Sequence, residues 1–208
     1  MRRPEFIARQ SRCPSGLLGR LIARVMARET AEANRQLLSL VGLQPADHVL
    51  EIGFGHGRTL ERAAAAVPHG FVAGVDLSDD MVRMTAKRLR PLIDRGRAAV
   101  QRADSARLPY GDERFDKAYA LHTLYFWPDP TQHLREARRV LRPGGRFVLG
   151  FTPGDDPRAR ASFPATVYDF HDDREVRGFL EEAGLADIMM IHRSISSRPI
   201  AFAISHRR

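Results

Sequence analysis

Short apolar runs alternate along most of the chain with stretches of helical periodicity. The apolar runs predict strands at residues 48–52, 70–75, 98–102, 115–121 and 146–151. Between and after them, apolar spacing and capping residues predict helices at about 57–66, 78–93, 130–141 and 173–183. Strands that alternate with helices through short connections are typical of an α/β fold with a mainly parallel, doubly wound sheet.

The two ends of the chain depart from this alternation. The last β-like stretches, 186–192 and 199–205, are separated only by residues 193–198. Because a parallel crossover needs a longer link, these two stretches predict an antiparallel hairpin that completes a seven-stranded sheet. Residues 1–41 are predicted to be mostly helical, so we divide the chain into an N-terminal helical cap segment, 1–41, and a ligand-binding domain, 42–208.

Composition narrows the classes of protein that the chain can belong to. Its 208 residues suit one domain with an appended cap, and Cys13 is the only cysteine. Intrachain disulfides and cysteine-based metal sites are therefore excluded, and a cytoplasmic location is expected. The histidines form no metal-spaced cluster in the sequence, so we predict no metal site.

The formal net charge is +8, which could attract nucleic acid, anionic lipid or an acidic substrate. The arginines are scattered along the chain and form no basic tail. A nucleic-acid partner is therefore disfavoured.

A glycine-rich turn follows the first predicted strand, in the segment VLEIGFGHGRTL at residues 49–60. Gly53, Gly55 and Gly57 would let a ligand lie against the main chain, where the next helix offers backbone donors. The spacing is G-x-G-x-G, because Arg58 occupies the sixth position of a dinucleotide fingerprint, and no P-loop lysine follows. The alternative is that these glycines serve packing alone.

Two aspartates follow the next predicted strands. Asp76 ends the second strand, where a carboxylate can accept both hydroxyls of a ribose. Asp104 follows the third strand and could accept a hydrogen bond from an exocyclic amine, or simply form a turn.

These motifs together resemble the class I S-adenosylmethionine (SAM)-dependent methyltransferases. The likeness is greatest to their small-molecule branch, which includes quinone-biosynthesis enzymes and the methyltransferase type 11 group. It covers residues 44–151 through four segments in order: VLEIGFGHG, VAGVDLSDDMV, ADSARLPYGDERFDKAYALHTLYFWPD and EARRVLRPGGRFVLG. The resemblance implies SAM as the cofactor and S-adenosylhomocysteine (SAH) as its product.

By position, the resemblance implies that the glycine loop contacts the methionine part of SAM. Gly53, Gly55 and Gly57 approach that part, with Phe54 between them, and Glu51 supports the loop and the amino group. It also implies that Asp76 binds the ribose and that Leu77 and Met81 line the adenine. Asp104, with Ser105 beside it, would bind the adenine amine, and Leu121 and His122 would border the sulfonium end.

A small organic acceptor is the expected partner. A sulfonium is a good leaving group, so the protein must chiefly hold a nucleophile in line and exclude water. His122, Tyr125, Phe126 and Trp127 could close over an apolar or planar acceptor. His122 is a candidate general base, or it shapes the SAM pocket. Further along, Tyr168 and His171 are secondary candidates on a lid-like connection.

The segment GLLGRLIARVMARE, residues 16–29, is a predicted amphipathic basic helix. Its apolar arc carries Leu17, Leu18, Leu21, Ile22, Val25 and Met26, and a second arc carries Arg20, Arg24 and Arg28. We favour a cap helix that packs its apolar arc over the active site. The alternatives are a peripheral membrane contact from Leu17 to Arg28 for a lipid or quinone acceptor, or a SAM-binding protein without transferase activity.

Overall fold

The computed structural model describes residues 3–208, with the side chain of Arg24 left aside, so Met1 and Arg2 of the predicted cap lie outside the described residues. Its strands are β1 (His48–Ile52), β2 (Phe71–Asp76), β3 (Ala98–Arg102), β4 (Phe115–Leu121), β5 (Leu141–Phe151), β6 (Leu185–Ile195) and β7 (Arg198–Arg207). Its helices are α1 (Glu5–Arg12), α2 (Gly16–Glu29), α3 (Ala31–Val41), α4 (Arg58–Ala66), α5 (Asp79–Ile93), α6 (Pro130–Val140), α7 (Pro157–Ser162) and α8 (Asp173–Glu182).

The strands form one seven-stranded sheet in the order β3-β2-β1-β4-β5-β7-β6. The first five strands in this order, β3, β2, β1, β4 and β5, pair in parallel with their neighbours. Strand β7 runs antiparallel to both β5 and β6. The predicted doubly wound sheet with a terminal hairpin is confirmed. Since the chain winds outward in opposite directions from β1 and β4, the crevice beyond their carboxyl ends is the expected ligand position.

The central strands are buried on both faces, as their apolar sequences require. On β1, Leu50 and Ile52 belong to one core cluster, whereas Val49 belongs to the cluster on the opposite face. Helix α3 contributes Leu37 and Val41 to that second cluster, so it packs on the sheet itself. The division of the chain at residue 42 stays a prediction.

Two strand boundaries differ from the prediction. The RPGG segment lies inside β5 as a bulge: the pairing jumps from Phe115–Leu141 to Lys117–Arg146, and Gly144 has φ 77°. In the terminal hairpin, β6 and β7 extend through most of the predicted link and leave Ser196 and Ser197 between them, with φ 50° and 63°. Positive φ at both central residues gives a turn whose twist matches the hairpin, which lets the strands continue to its edge.

The predicted packing of the apolar arc of α2 over the active site holds only in part, because Ile22 and Met26 are half-buried and the other four residues are exposed. Four of its residues form an exposed surface, the α2 stripe: Leu17, Leu18, Leu21 and Val25, of which Leu17 is 83% exposed. The inward face carries Gly19, Ala23 and Ala27 instead. A side chain at Gly19 would collide with the backbone of Pro14, so the close approach of the chain there admits only small residues.

Helix α2 is anchored to the start of α5. The carboxylate of Asp80 accepts hydrogen bonds from the backbone N–H of Gly16 at 2.8 Å and from Arg20 Nη2 at 2.7 Å. Two residues before Asp80, the Ser78 hydroxyl donates to the Pro14 carbonyl. These contacts hold the N-terminal helices against the turn that follows β2.

Candidate active site

A cavity of about 710 Å³ opens beyond the carboxyl ends of the central strands. The glycine loop and the last residues of β2 and β4 form its floor, and segments of the N-terminal helices and α7 line its other sides. The turn of the β6–β7 hairpin also borders the cavity. A concave space of this size at the switch point of the sheet can hold a cofactor and a small molecule together.

The glycine loop needs its glycines for different reasons. Gly53, with φ 76°, lies so close to Thr123 that a side chain would collide with Thr123 Cγ2. Gly55, with φ 53°, has open space where its side chain would be, so a ligand can approach its backbone there. Gly57 packs against Thr85 at the start of α4 and does not line the cavity, so its contact with the cofactor stays a prediction.

Asp76 ties the glycine loop to the start of α5. Its Oδ2 accepts the N–H of Gly55 at 2.8 Å, and its Oδ1 accepts the N–H of Ser78 at 2.9 Å. Burial raises the pKa of Asp76, and these backbone donors partly offset the rise. Because each carboxylate oxygen keeps a further lone pair, the group can accept two hydroxyl donors from the cavity.

Glu51 is a buried carboxyl group on the cavity floor. Burial raises its pKa to about 8, although Tyr119 Oη donates a hydrogen bond to its Oε2 at 3.1 Å. A carboxyl group in this position is neutral until a cation arrives beside it, and it then ionises to neutralise that cation.

His122 begins the loop after β4 with φ 57°, a left-handed conformation that aligns its ring with Tyr125. Tyr125 Oη accepts the N–H of Thr152 at 2.6 Å and lies 2.9 Å from His122 Nδ1. Among the described residues the Tyr125 hydroxyl has no other acceptor for its own hydrogen, so we assign that hydrogen to Nδ1, which leaves the imidazole hydrogen on Nε2. Burial lowers the pKa of His122 to about 4. The neutral ring can therefore donate from Nε2 toward the cavity.

Aromatic rings pack together along the cavity into what we call the aromatic wall: Tyr125, Phe126, Phe163, Tyr168 and Phe170. Ring centroids within the wall are 4.7 to 5.9 Å apart where its members touch. The wall unites the predicted Tyr125 and Tyr168, which are far apart in the sequence. Trp127 instead stacks on His133, and buried His171 packs against Phe179, both away from the cavity lining.

The cavity brings together most of the residues predicted to contact cofactor or acceptor: Glu51, Gly53, Phe54, Gly55, Asp76, Met81, Leu121, His122, Tyr125 and Tyr168. Leu77, Asp104 and Ser105 do not line it. Asp104 forms a turn through the N–H of Ala106, and Ser105 bonds His133 at 2.7 Å. The adenine contacts of these three residues stay predictions.

Sequence reasoning missed several cavity residues. Thr123 and Thr152 lie within two residues of the ends of β4 and β5, and that position at the carboxyl edge of a sheet was the signal that could have found them. Arg3 and Phe163 reach the cavity only through tertiary packing, and their sequence neighbourhoods carry no such signal. Between residues 3 and 208, no group of three or more histidine, cysteine or acidic side chains is arranged to hold a metal ion.

The sheet order, the antiparallel β7 and a ligand cavity at the β1–β4 switch point define the architecture of class I methyltransferases. Residues 50–149 match the family model described as "Methyltransferase domain". Residues 50–149 are therefore a methyltransferase domain, which confirms the resemblance of the motifs to the class I SAM-dependent methyltransferases.

Two relatives show how far the sequence similarity extends along the chain. Over 121 residues the chain is 36% identical to 27-O-demethylrifamycin SV methyltransferase of Amycolatopsis mediterranei, covering 58% of this chain and 44% of the relative. Over 171 residues it is 25% identical to the uncharacterized methyltransferase YdaC of Bacillus subtilis, covering 82% of this chain and 89% of YdaC. The chain thus spans less than half of the first relative and most of the second.

A solved structure shares the fold over nearly the whole chain. The SAM-dependent methyltransferase from Aquifex aeolicus superposes with a TM-score of 0.69 at 20% identity, over 84% of this chain and 89% of that one. At this identity the likeness is one of fold.

Proposed function

We propose that this protein transfers a methyl group from SAM to a small organic acceptor held between the glycine loop and the aromatic wall. The observation that carries the proposal is one continuous cavity that joins the Gly55–Asp76 cradle to His122 and the wall. SAM fits the residues present, because the cradle offers hydroxyl acceptors and open space, and buried Glu51 can receive an ammonium group.

The residues have separate tasks in this proposal. When bound, SAM supplies an electrophilic methyl group, and its sulfonium becomes the neutral thioether of SAH. Asp76 binds the ribose hydroxyls, and Glu51 ionises beside the amino group. His122 orients the nucleophilic atom of the acceptor by donating from Nε2, and the aromatic wall excludes water. Because His122 keeps its Nε2 hydrogen, it cannot take a proton from the acceptor, so an acidic acceptor loses its proton to bulk solvent before it enters the cavity.

Calorimetry with SAM and with SAH tests the cofactor part, with NADH as the control. We expect micromolar binding of both and no NADH signal. Release of SAH in the presence of quinols, phenols or amines then tests transfer. Absence of SAM and SAH binding would overturn the proposal, and binding without turnover of any acceptor would instead assign a SAM-binding protein without transferase activity.

A variant pair separates orientation by His122 from general-base catalysis. We expect His122→Ala to lower kcat about tenfold and His122→Gln to retain most of the activity, since the glutamine amide can also donate. The pH profile of kcat/KM should show no ionisation near 6.5, because the ring stays neutral down to about pH 4. An equal loss of kcat in both variants, or an ionisation near pH 6.5 in the profile of kcat/KM, would favour His122 as a general base.

The α2 stripe favours a second candidate, a methyltransferase that meets a lipid or quinone acceptor at a membrane surface. Leu17 and Leu21 are 83% and 58% exposed, and the exposed Arg28 lies on the same helix. An apolar stripe beside positive charge is the pattern of an interfacial helix. No helix of the described chain is long and apolar enough to cross a membrane.

Sedimentation with phosphatidylglycerol vesicles at low salt tests this candidate. We expect the protein to sediment, and a Leu17→Ser/Leu21→Ser double variant to bind at least about tenfold more weakly, because two apolar side chains no longer enter the interface. Met189→Ser is the matched control, since Met189 is an exposed apolar residue on β6. A protein that stays in the supernatant, or equal loss in the control, would count against membrane contact.

A further inference from the structure

We propose that the acceptor is an aromatic acid, which lies along the aromatic wall with its anionic group at Arg3 and its nucleophilic atom at His122. This inference rests on the proposed function and adds the chemical class of the acceptor. Three observations support it: an arginine lies at one end of the aromatic wall, the rings of the wall connect this arginine to His122, and positive charge lines the cavity.

Arg3 is a half-buried cation at the far end of the wall. Its guanidinium carbon lies 4.8 Å from the centroid of the Phe163 ring, and its Nη1 lies 3.4 Å from Ser11 Oγ. Among residues 3–208, no carboxylate lies within 4 Å of this guanidinium. A cation shielded from water with no counter-charge favours an anionic ligand, which a guanidinium binds through charge-assisted hydrogen bonds.

The aromatic wall leads from Arg3 to His122 without a break. Phe163 lies 4.7 Å from Tyr168, Tyr168 lies 5.8 Å from Tyr125, and the His122 ring lies 6.1 Å from Tyr125, measured between centroids. Arg3 and Ser11 also lie beside the Tyr168 hydroxyl, where they offset the rise that burial causes in its pKa. A planar acceptor can stack on these rings with its anionic group directed toward Arg3 and its other end toward His122.

The charged side chains that line the cavity differ between its cofactor end and the rest of its lining. The carboxyl groups of Glu51 and Asp76 lie at the cofactor end. Half-buried Arg3 and three exposed arginines, Arg12, Arg158 and Arg198, also line the cavity. Two further carboxylates line the cavity: Asp156 is engaged as the cap of α7, bonding the N–H of Arg158 at 3.0 Å, and Glu29 is exposed at the end of α2. The lining outside the cofactor end therefore favours negative charge.

Calorimetry on the SAH-loaded protein with three matched probes tests the inference: a hydroxynaphthoate, the corresponding amide and the corresponding cationic methylamine. We expect the acid to bind at least about tenfold more tightly than the amide, and the amine more weakly still. Arg3→Gln should abolish the preference for the acid, and Arg3→Lys should keep part of it. Arg9→Gln, on α1 and paired with Glu5 outside the cavity, is the matched control.

Three results would overturn the inference: the amide or amine binds as tightly as the acid, none of the probes binds the SAH-loaded protein, or Arg3→Gln leaves the preference for the acid unchanged. Binding of SAH is measured first in the same titration series. Failure to bind SAH would count against the proposed function itself, whereas SAH binding without preference for the acid would remove only the acceptor class.

Discussion

Asp76→Ala is expected to weaken the binding of SAM and SAH by about 100-fold. The carboxylate provides the two hydroxyl acceptors of the proposed ribose site, and its loss removes two hydrogen bonds to a charged group, each worth about 1.5 kcal/mol at the lower end of the usual range. The variant also releases the N–H of Gly55 and so loosens the cofactor loop. Calorimetry with SAH measures the effect directly.

Asp79→Ala is the matched control for this experiment. Asp79 lies three positions further along the chain, pairs with Arg102 at the surface and does not line the cavity. We expect SAH to bind this variant as it binds the natural chain. If Asp76→Ala also keeps full affinity, the ribose assignment fails even though the fold stands.

Gly53→Ala is expected to destabilise the fold by about 3 kcal/mol, from overpacking against Thr123 together with a left-handed conformation. Gly55→Ala has the same conformational requirement but no neighbour to strike, so about 1 kcal/mol is expected. Denaturant unfolding of the two variants measures the difference. Both substitutions should also weaken SAH binding, because each places a methyl group on the cofactor loop.

A second change tests the reason given for Gly53. Thr123→Ser removes the Cγ2 atom that the new methyl group would strike. In the double variant we expect about 1 to 2 kcal/mol of the lost stability to return. If the double variant is as unstable as Gly53→Ala alone, crowding by Thr123 is the wrong explanation.

The sequence predicted the sheet and the cofactor half of the site because both depend on local signals. Glu51, Gly53 and Asp76 each stand at a fixed distance from the end of a buried strand, and strand periodicity is readable over five or six residues. The motif order placed these ends at one edge of the sheet, where the cavity joins them.

The acceptor half was less predictable because it is assembled from distant segments. Arg3 meets Phe163 across some 160 residues of chain, which no periodicity encodes. The amphipathic pattern of α2 showed an apolar arc correctly but not which way it faces, because Gly19 and Ala23 fit the close approach to the body of the protein better than leucines do.

One aspartate couples the N-terminal helices to the cofactor site. Asp80 holds Gly16 and Arg20 of α2 from the same turn in which Ser78 contacts both Pro14 and Asp76. If a bound nucleoside orders this turn, it must also favour docking of the helices. Linkage is reciprocal, so whatever pulls those helices away, a membrane or a partner, must weaken the affinity for the nucleoside by the same factor.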